Sequence, residues 1–289
     1  MGKGEWYDIR LGKPNPLTNL RSEWFDWFLK EVDGYNVGGG LTLWSIGGAG
    51  FILKSRRSTI YIDPYCGGSV EVPDIGTIHR MVPIPFNPSD VRMIDATVIT
   101  HEDLDHLNED FVFPVSKNTS CLFVGPPSVG ELLESWGIPK DRIVILNEYQ
   151  EKKIKDVRII GLPSNDPVPK TANTYILEVD GVEVFHSGDA LFFEKYHEFG
   201  KRYDIDVALI SLGTNPPGMK IYNNPGEVVQ IARDLRCKVL IPMHWNLWSF
   251  SLEDPYLVSQ EVKLRGLEIK VVILRIGERF SYPEPQTVK

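Results

Sequence analysis

Short apolar runs alternate along the chain with polar segments rich in glycine and proline. Runs of Val, Ile and Leu predict strands covered on both faces, and alternating runs predict half-buried strands. Between residues 41 and 63 the apolar runs are separated by a glycine turn at 47–50 and a basic turn at 56–57, which predicts strands joined by hairpins. Further strands are predicted at residues 96–99, 119–124, 142–146, 157–166, 174–179, 182–185, 206–211, 237–244 and 269–276.

Apolar residues three or four positions apart predict helices at residues 22–31, 128–136 and 225–235. Ser22 and Ser128 are the predicted N-caps of the first two helices. The first helix has an aromatic face, which we expect to pack on the body of the domain, with a dimer contact as the alternative. That face consists of Trp24, Phe25, Trp27 and Phe28. Residues 66–90 are rich in Gly and Pro and predict a long loop.

The chain has 289 residues, 42% of them hydrophobic, and a formal net charge of -8. This length suits one large domain, residues 1–289, with residues 1–40 as a helical extension. The acidic balance provides no basic surface for a phosphate backbone, so nucleic-acid binding is not expected. No apolar run approaches the roughly 20 residues that span a bilayer. Three separated cysteines and an N-terminus without a signal-peptide pattern predict a cytoplasmic protein.

Five ionisable side chains follow the predicted strand at residues 96–99 within six positions: His101, Glu102, Asp103, Asp105 and His106. Ligands of α/β sheets bind at the carboxyl ends of strands. Imidazoles and carboxylates crowded together would repel one another or require costly desolvation, and a divalent cation is the simplest neutralising partner. The turn therefore predicts a metal site. A solvated acidic turn with incidental histidines is the alternative.

The spacing His101-x-Asp103-x-Asp105-His106 resembles the His-x-His-x-Asp-His signature of the metallo-β-lactamase superfamily, with Asp103 in place of the second His. Further segments, in order, resemble the L-ascorbate-6-phosphate lactonase branch of that superfamily: residues 43–47, 63–67, 94–96, 136–140, 186–189, 205–209, 215–218 and 241–244. The resemblance implies an α/β (α+β) fold, a four-layer αββα sandwich with its site along one edge of the two sheets.

The resemblance also implies two metal sites and a ligand for each position. One metal would be held by His101, Asp103 and Asp166, the other by Asp105, His106 and His244, with Asp189 between them. Asn165 is the alternative to Asp166 as a metal ligand. An Asx-type turn before Pro167 would explain an acid at position 166 nearly as well as a metal does.

Asp63, at the end of a predicted strand, is expected from the resemblance to support the metal loop. The leaving oxygen of a substrate would take its proton from Asp105 or His186, and His186 is alternatively a hydrogen-bond donor that supports the ligands. Carboxylates at Asp103 and Asp166 in place of imidazoles favour Mn²⁺, with Zn²⁺ or Fe²⁺ also possible.

These residues predict a metal-dependent hydrolase in which a water between two cations loses its proton and attacks the substrate. The expected small-molecule substrate is a sugar lactone, phosphorylated as in L-ascorbate 6-phosphate, or a related ester. A metal-dependent phosphodiesterase and a degenerate metal-binding or regulatory protein are the alternatives. A phosphate group could be met by Arg56, Arg57, Arg80, Lys170 or Lys220, although each could be a plain surface charge. The aromatic helix and the resemblance also suggest a homo-oligomer.

Overall fold

Two seven-stranded sheets form the centre of the computed structural model, which describes residues 13–14, 25–72 and 76–284. In spatial order, the first sheet consists of β17 (Arg279–Tyr282), β2 (Leu41–Gly47), β3 (Gly50–Lys54), β4 (Thr59–Ile62), β7 (Ala96–Val98), β8 (Leu122–Gly125) and β9 (Ile143–Ile145). The second consists of β10 (Glu151–Ile154), β11 (Val157–Pro163), β12 (Asn173–Val179), β13 (Val182–His186), β14 (Ile205–Ser211), β15 (Val239–Met243) and β16 (Lys270–Val271). A small sheet joins β1 (Lys13–Pro14), β5 (Val70–Val72) and β6 (Gly76–Ile78).

Each large sheet combines antiparallel hairpins with a parallel part. Strands β4, β7, β8 and β9 are parallel neighbours in the first sheet, and β13, β14, β15 and β16 are parallel neighbours in the second. The carboxyl ends of parallel strands meet at one edge of a sheet. Polar residues that follow these strands are therefore brought close to one another.

The two sheets pack face to face, and helices cover their outer faces. The central core contains Leu53 and Ile62 from the first sheet and Val184 and Leu209 from the second. Helices α1 (Phe25–Gly34), α2 (Glu109–Asn118) and α3 (Pro127–Ser135) pack on the first sheet, and α4 (Lys195–Arg202), α5 (Pro225–Leu235) and α6 (Tyr256–Leu264) pack on the second. The predicted four-layer αββα sandwich is confirmed. In the described part of the chain, no helix has the length and apolar character needed to cross a membrane.

The aromatic residues of α1 lie partly in the core and partly on the surface. Phe28 is fully buried against the first sheet, whereas Trp27 is 60% exposed. The helix therefore packs on the body of the domain through part of the predicted face. The predicted cap Ser22 and the aromatic Trp24 lie outside the described residues.

Some local predictions were wrong or incomplete. Ser128 is not an N-cap, because α3 begins at Pro127 and has Pro126 as its N-cap. The Ser128 hydroxyl instead donates a hydrogen bond to the Glu102 carboxylate, at 2.5 Å. The predicted loop at residues 66–90 contains β5 and β6, and the strand expected at 269–276 covers only Lys270–Val271.

Candidate metal centre

Every predicted ligand follows the carboxyl end of a buried strand. The loop from His101 to His106 follows β7, and α2 begins directly after it with Asn108 as its N-cap. Asp166, Asp189 and His244 follow β11, β13 and β15. The loop follows a strand of the first sheet, and the other three residues follow strands of the second. The centre therefore lies at the edge of the sandwich where strand ends of both sheets come together.

The structure brings all seven predicted side chains into one cluster. Ligand atoms of His101, His106 and Asp189 lie within 4.8 Å of one another, as do those of Asp105, His106 and His244. Asp103 Oδ2 and Asp166 Oδ2 each lie 3.8 Å from a ring nitrogen of His101. His106 Nε2 and His244 Nε2 lie 3.5 and 3.6 Å from Asp189 Oδ2, which places Asp189 between the two groups. The division of the seven residues between two metals stays a prediction.

Asp63 supports the loop from beneath. Its Oδ1 accepts a hydrogen bond from the Thr100 N–H at 2.8 Å, and its Oδ2 accepts one from the Thr100 hydroxyl at 2.6 Å. Asp63 Oδ2 also lies 2.8 Å from His106 Nδ1. Burial alone would raise the pKa of Asp63, but the charge and hydrogen bond of His106 hold this pKa below its usual value. The carboxylate therefore fixes the ring so that Nε2 is left for a ligand, as predicted for a residue that supports the metal loop.

Two backbone features bring the second sheet close to the loop. Gly188 has φ +52°, and a Cβ atom there would lie 2.9 Å from the Thr100 side chain, so glycine is required by both conformation and space. His244 also has a positive φ, of 69°, and its N–H donates to the Gly48 carbonyl at 2.9 Å. The glycine turn between β2 and β3 thus holds the last predicted ligand.

His186 contacts the backbone and not the cluster. Its Nε2 lies 2.8 Å from the Ala49 carbonyl, and its Nδ1 accepts a hydrogen bond from the Gly188 N–H at 3.1 Å. A neutral imidazole has one donor and one acceptor, and both are used here. Burial also lowers the pKa of His186. These contacts fit the supporting role and leave neither ring nitrogen unpaired. The proton-carrier role of His186 stays a prediction.

The cluster has the properties of a site that requires a cation. Burial and the nearby Asp189 charge raise the pKa of Asp166 to about 7, and burial and His106 lower the pKa of His101 to about 3. Asp166 Oδ2 and Asp189 Oδ1 are buried and have no hydrogen-bond partner among the residues described. Buried carboxylate oxygens without donors are costly, and a divalent cation would satisfy them. The residues present therefore fit a metal centre.

The family model for the beta-lactamase superfamily domain matches residues 58–245, a stretch that includes all seven clustered side chains. The chain belongs to the β-lactamase superfamily.

Related proteins agree with this assignment. A protein of Salmonella paratyphi B named probable L-ascorbate-6-phosphate lactonase UlaG is 29% identical over 306 residues, covering 90% of this chain and 86% of the relative. The metallo hydrolase Igni18 of Ignicoccus hospitalis has a TM-score of 0.65 at 21% identity, covering 84% of this chain and 99% of that one. An isothiocyanate hydrolase from Delia radicum gut bacteria has a TM-score of 0.69 at 18% identity, covering 83% and 98%. The two structural likenesses support the fold alone.

A small cavity of about 30 Å³ lies at the cluster. It is lined by four of the clustered carboxylates and by four apolar or aromatic side chains: Asp103, Asp105, Asp166, Asp189, Val168, Ile221, Tyr222 and Phe250. The Tyr222 ring packs against His244 with 5.1 Å between ring centroids. Sequence reasoning missed Ile221 and Tyr222, which lie in the same loop as the segment 215–218 but outside that segment.

A larger cavity of about 670 Å³ is lined by other residues of the loop, namely Glu102, Leu104 and Leu107. The start of α2, the helix α3 and Lys170 also line it. None of the seven clustered side chains lines it. We therefore assign the chemistry to the smaller cavity, where the carboxylates converge.

The predicted phosphate-binding cations do not line the small cavity. Arg80 is buried, and its guanidinium donates to the carbonyls of Tyr65, Gly67, Val82 and Pro83, so a phosphate role for Arg80 is contradicted. Three of the other four cations have protein partners: Lys170 pairs with Glu131, Lys220 pairs with Glu227, and Arg56 donates to the Gly38 carbonyl.

Proposed function

We propose that this superfamily member is a metal-dependent hydrolase that opens a lactone or a related carboxylic ester. The observation that carries the proposal is the convergence of seven predicted ligands at one edge of the sandwich, with buried carboxylate oxygens that have no hydrogen-bond donor. The lactonase name of the 29% identical relative supports the lactone as substrate class. A sugar lactone, phosphorylated as in L-ascorbate 6-phosphate, remains the first candidate to test.

Two groups of residues would hold two divalent cations, Mn²⁺ by preference. His101, Asp103 and Asp166 would hold one cation, Asp105, His106 and His244 the other, with Asp189 between them. When bound, the cations supply a lower pKa for a water nucleophile and polarise the carbonyl under attack. Asp63 keeps His106 in its ligating orientation through the 2.8 Å contact to Nδ1.

Asp105 is the proposed proton carrier. Burial would raise the pKa of Asp105, but the neighbouring His106 and His244 hold this pKa below its usual value, so the group is a carboxylate near neutral pH. It can accept the proton of the nucleophile and return it to the leaving oxygen. This assignment leaves His186 with the structural role that its backbone contacts support.

The lining of the small cavity combines carboxylates with apolar and aromatic side chains. Asp103, Asp105, Asp166 and Asp189 line it together with apolar and aromatic residues, and none of its lining residues is basic. Bound cations would attract the oxygen of a lactone carbonyl and that of a phosphodiester alike. The lactonase name of the 29% identical relative is therefore what ranks the lactonase above the phosphodiesterase alternative.

Metal content is the first test. We expect elemental analysis of protein purified without chelator to find about two equivalents of metal, fewer in His106→Ala, and an unchanged content in His197→Ala. His197 is an exposed histidine on α4 and provides a matched control. Wild-type protein that holds no metal after exposure to Mn²⁺ would refute the proposal.

Substrate class is tested by comparing sugar lactones, their phosphorylated counterparts and a chromogenic phosphodiester in the presence of Mn²⁺. We expect opening of lactones and negligible cleavage of the diester, with activity lost in Asp189→Ala. Cleavage of the diester alone would favour the phosphodiesterase. Hydrolysis of none of them by metal-loaded protein would favour the binding or regulatory alternative.

A further inference from the structure

We propose that Trp248 is a positioning residue of the metal centre, whose indole N–H orients Asp105 toward the second predicted cation. This inference rests on the proposed function, because it concerns how one of its predicted ligands is held. Trp248 belongs to the apolar segment after His244, and neither its sequence position nor its ring type indicates a contact with the metal loop.

The contact is direct and completely buried. Trp248 Nε1 donates a hydrogen bond to Asp105 Oδ2 at 2.7 Å, and the two side chains are 0% and 2% exposed. The same oxygen lies 3.1 Å from His244 Nε2, and the other oxygen, Oδ1, lies 3.9 Å from His106 Nε2. The indole thus fixes the plane of a carboxylate whose oxygens lie beside two other predicted ligands.

An indole suits this position because it can only donate. It keeps its proton across the whole working pH range, and it adds no charge to a cluster already rich in ionisable groups. The hydrogen bond also satisfies an acceptor that would be costly to bury alone. Partners of this kind, which hold a ligand without touching the metal, commonly change metal affinity by about 10- to 100-fold.

The segment that carries Trp248 is itself fixed by backbone pairing. Met81 N–H donates to the Leu247 carbonyl at 2.8 Å, and Ser249 N–H donates to the His79 carbonyl at 2.9 Å. Between these two bonds, Arg80 and Trp248 face each other in an antiparallel bridge. Trp248 is therefore fixed by backbone hydrogen bonds of its neighbours as well as by the hydrogen bond of its indole ring.

Arg80 completes this support. Its buried guanidinium binds four backbone carbonyls and lies 5.0 Å from the centre of the Tyr65 ring, which in turn packs on Trp248 with 5.4 Å between ring centroids. A guanidinium has five donors in a planar fork and can bind four carbonyls at once, whereas a lysine ammonium has only three donors. Arg80, one of the five cations considered for a phosphate, instead supports the Tyr65 ring that packs on Trp248.

The test compares Trp248→Phe with Trp44→Phe. Both replace a fully buried indole by a smaller ring, but Trp44 Nε1 has no hydrogen-bond partner in the described structure, so only the first variant removes a bond to a predicted ligand. Titration of metal-free protein with Mn²⁺, followed by calorimetry, gives the dissociation constant of each equivalent. We expect Trp248→Phe to weaken one of two equivalents by about 10- to 100-fold. The dissociation constant of the other equivalent, and those of both equivalents in Trp44→Phe, should change by less than about threefold.

The outcomes separate this inference from the proposed function. Wild-type protein that binds no Mn²⁺ refutes both. Two tight equivalents in the wild type and in Trp248→Phe overturn the role of Trp248 alone. Equal weakening of both equivalents in Trp248→Phe also overturns it, because a general packing defect has no preference for the site that contains Asp105.

A second measurement applies if Trp248→Phe does not fold, and it compares the wild type with Trp245→Phe. With ¹⁵N at its seven tryptophans, the wild type should show an indole N–H signal that exchanges slowly with solvent and shifts when Zn²⁺ is added. Trp245 directly follows His244, so only a shifting signal that is still present in Trp245→Phe is assigned to Trp248. Zn²⁺ is diamagnetic, so the signals stay visible at saturation. The absence of any shifting signal in Trp245→Phe at saturating Zn²⁺ would overturn the proposal.

Discussion

Replacing Asp63 by Asn removes one negative charge from a buried position that contacts the loop and leaves the size of the side chain almost unchanged. The carboxylate contacts the Thr100 N–H, the Thr100 hydroxyl and His106 Nδ1, all within 2.8 Å. An amide has a single acceptor oxygen, so at least one of these groups must face the new NH₂. A hydrogen bond to a charged group contributes about 1.5–3 kcal/mol, and a buried donor left unpaired costs about as much again.

We therefore expect Asp63→Asn to lower the free energy of unfolding by about 2–4 kcal/mol. For a domain of this size, each kcal/mol corresponds to about 2–4 °C in Tm, so the variant should melt about 5–15 °C lower. The affinity for Mn²⁺ should also fall by about 10- to 100-fold, because His106 loses the partner that orients it.

Urea denaturation and calorimetric metal titration measure the two effects. The control is Asp180→Asn, the same chemical change at an exposed turn residue with φ 51°, a conformation that Asn adopts readily. Since His106 keeps the pKa of Asp63 low against the effect of burial, the stability difference should be complete above pH 4 or so and should shrink as the pH falls further. Unfolding of Asp63→Asn at the urea concentration of the wild type would refute this account of the loop.

Three further substitutions test individual features of the centre. Gly188→Ala should lower Tm more than Gly181→Ala. Both positions have a positive φ, but only a Cβ atom at position 188 would meet another side chain, at 2.9 Å. Equal decreases of Tm in thermal denaturation would contradict the close approach of Gly188 to Thr100. Burial and Asp189 raise the pKa of Asp166 to about 7, and an acid with a raised pKa in the folded state lowers the free energy of unfolding as the pH rises. Metal-free wild type should therefore lose stability between about pH 4 and 7, and Asp166→Asn should not. Urea denaturation at pH 5 and 8 checks this, and a variant that loses as much stability as the wild type would assign the effect to another group. His186→Leu should lower the free energy of unfolding by about 2–4 kcal/mol, because it leaves a buried carbonyl and a buried N–H unpaired. The shape of the pH profile of kcat should stay unchanged. Loss of one limb of that profile would support the proton-carrier role.

The predicted ligand positions rest on the resemblance to the metallo-β-lactamase superfamily, and each of them follows an apolar run that forms a strand. The spacing in the turn from His101 to His106 carries most of the information, and the strands before Asp189 and His244 place those residues at the same edge. Spacing alone could not separate Asp166 from Asn165, since both follow the Pro163 strand end. In the structure Asp166 faces His101, and the Asn165 amide donates to the Phe192 carbonyl.

Other features depend on contacts between distant segments. The bond from Trp248 to Asp105 joins residues 143 positions apart, and the Arg80 guanidinium binds carbonyls that no motif identifies as its partners. Ser128 has the sequence context of an N-cap, but the N-cap of α3 is Pro126, two residues earlier, and the Ser128 hydroxyl binds Glu102. A local pattern predicts which element a residue enters, whereas its partners follow from how the sheets and loops pack.

The division of the ligands between the two sheets affects how the protein would acquire its metals during folding. The loop after β7 belongs to the first sheet, and Asp166, Asp189 and His244 belong to the second. Contacts between residues so far apart in sequence form late, after the cost of closing long loops has been met. Neither half of the chain carries the whole set, so we expect cations to bind only after the sandwich has assembled. Adding Mn²⁺ should then slow unfolding and leave the rate of refolding nearly unchanged.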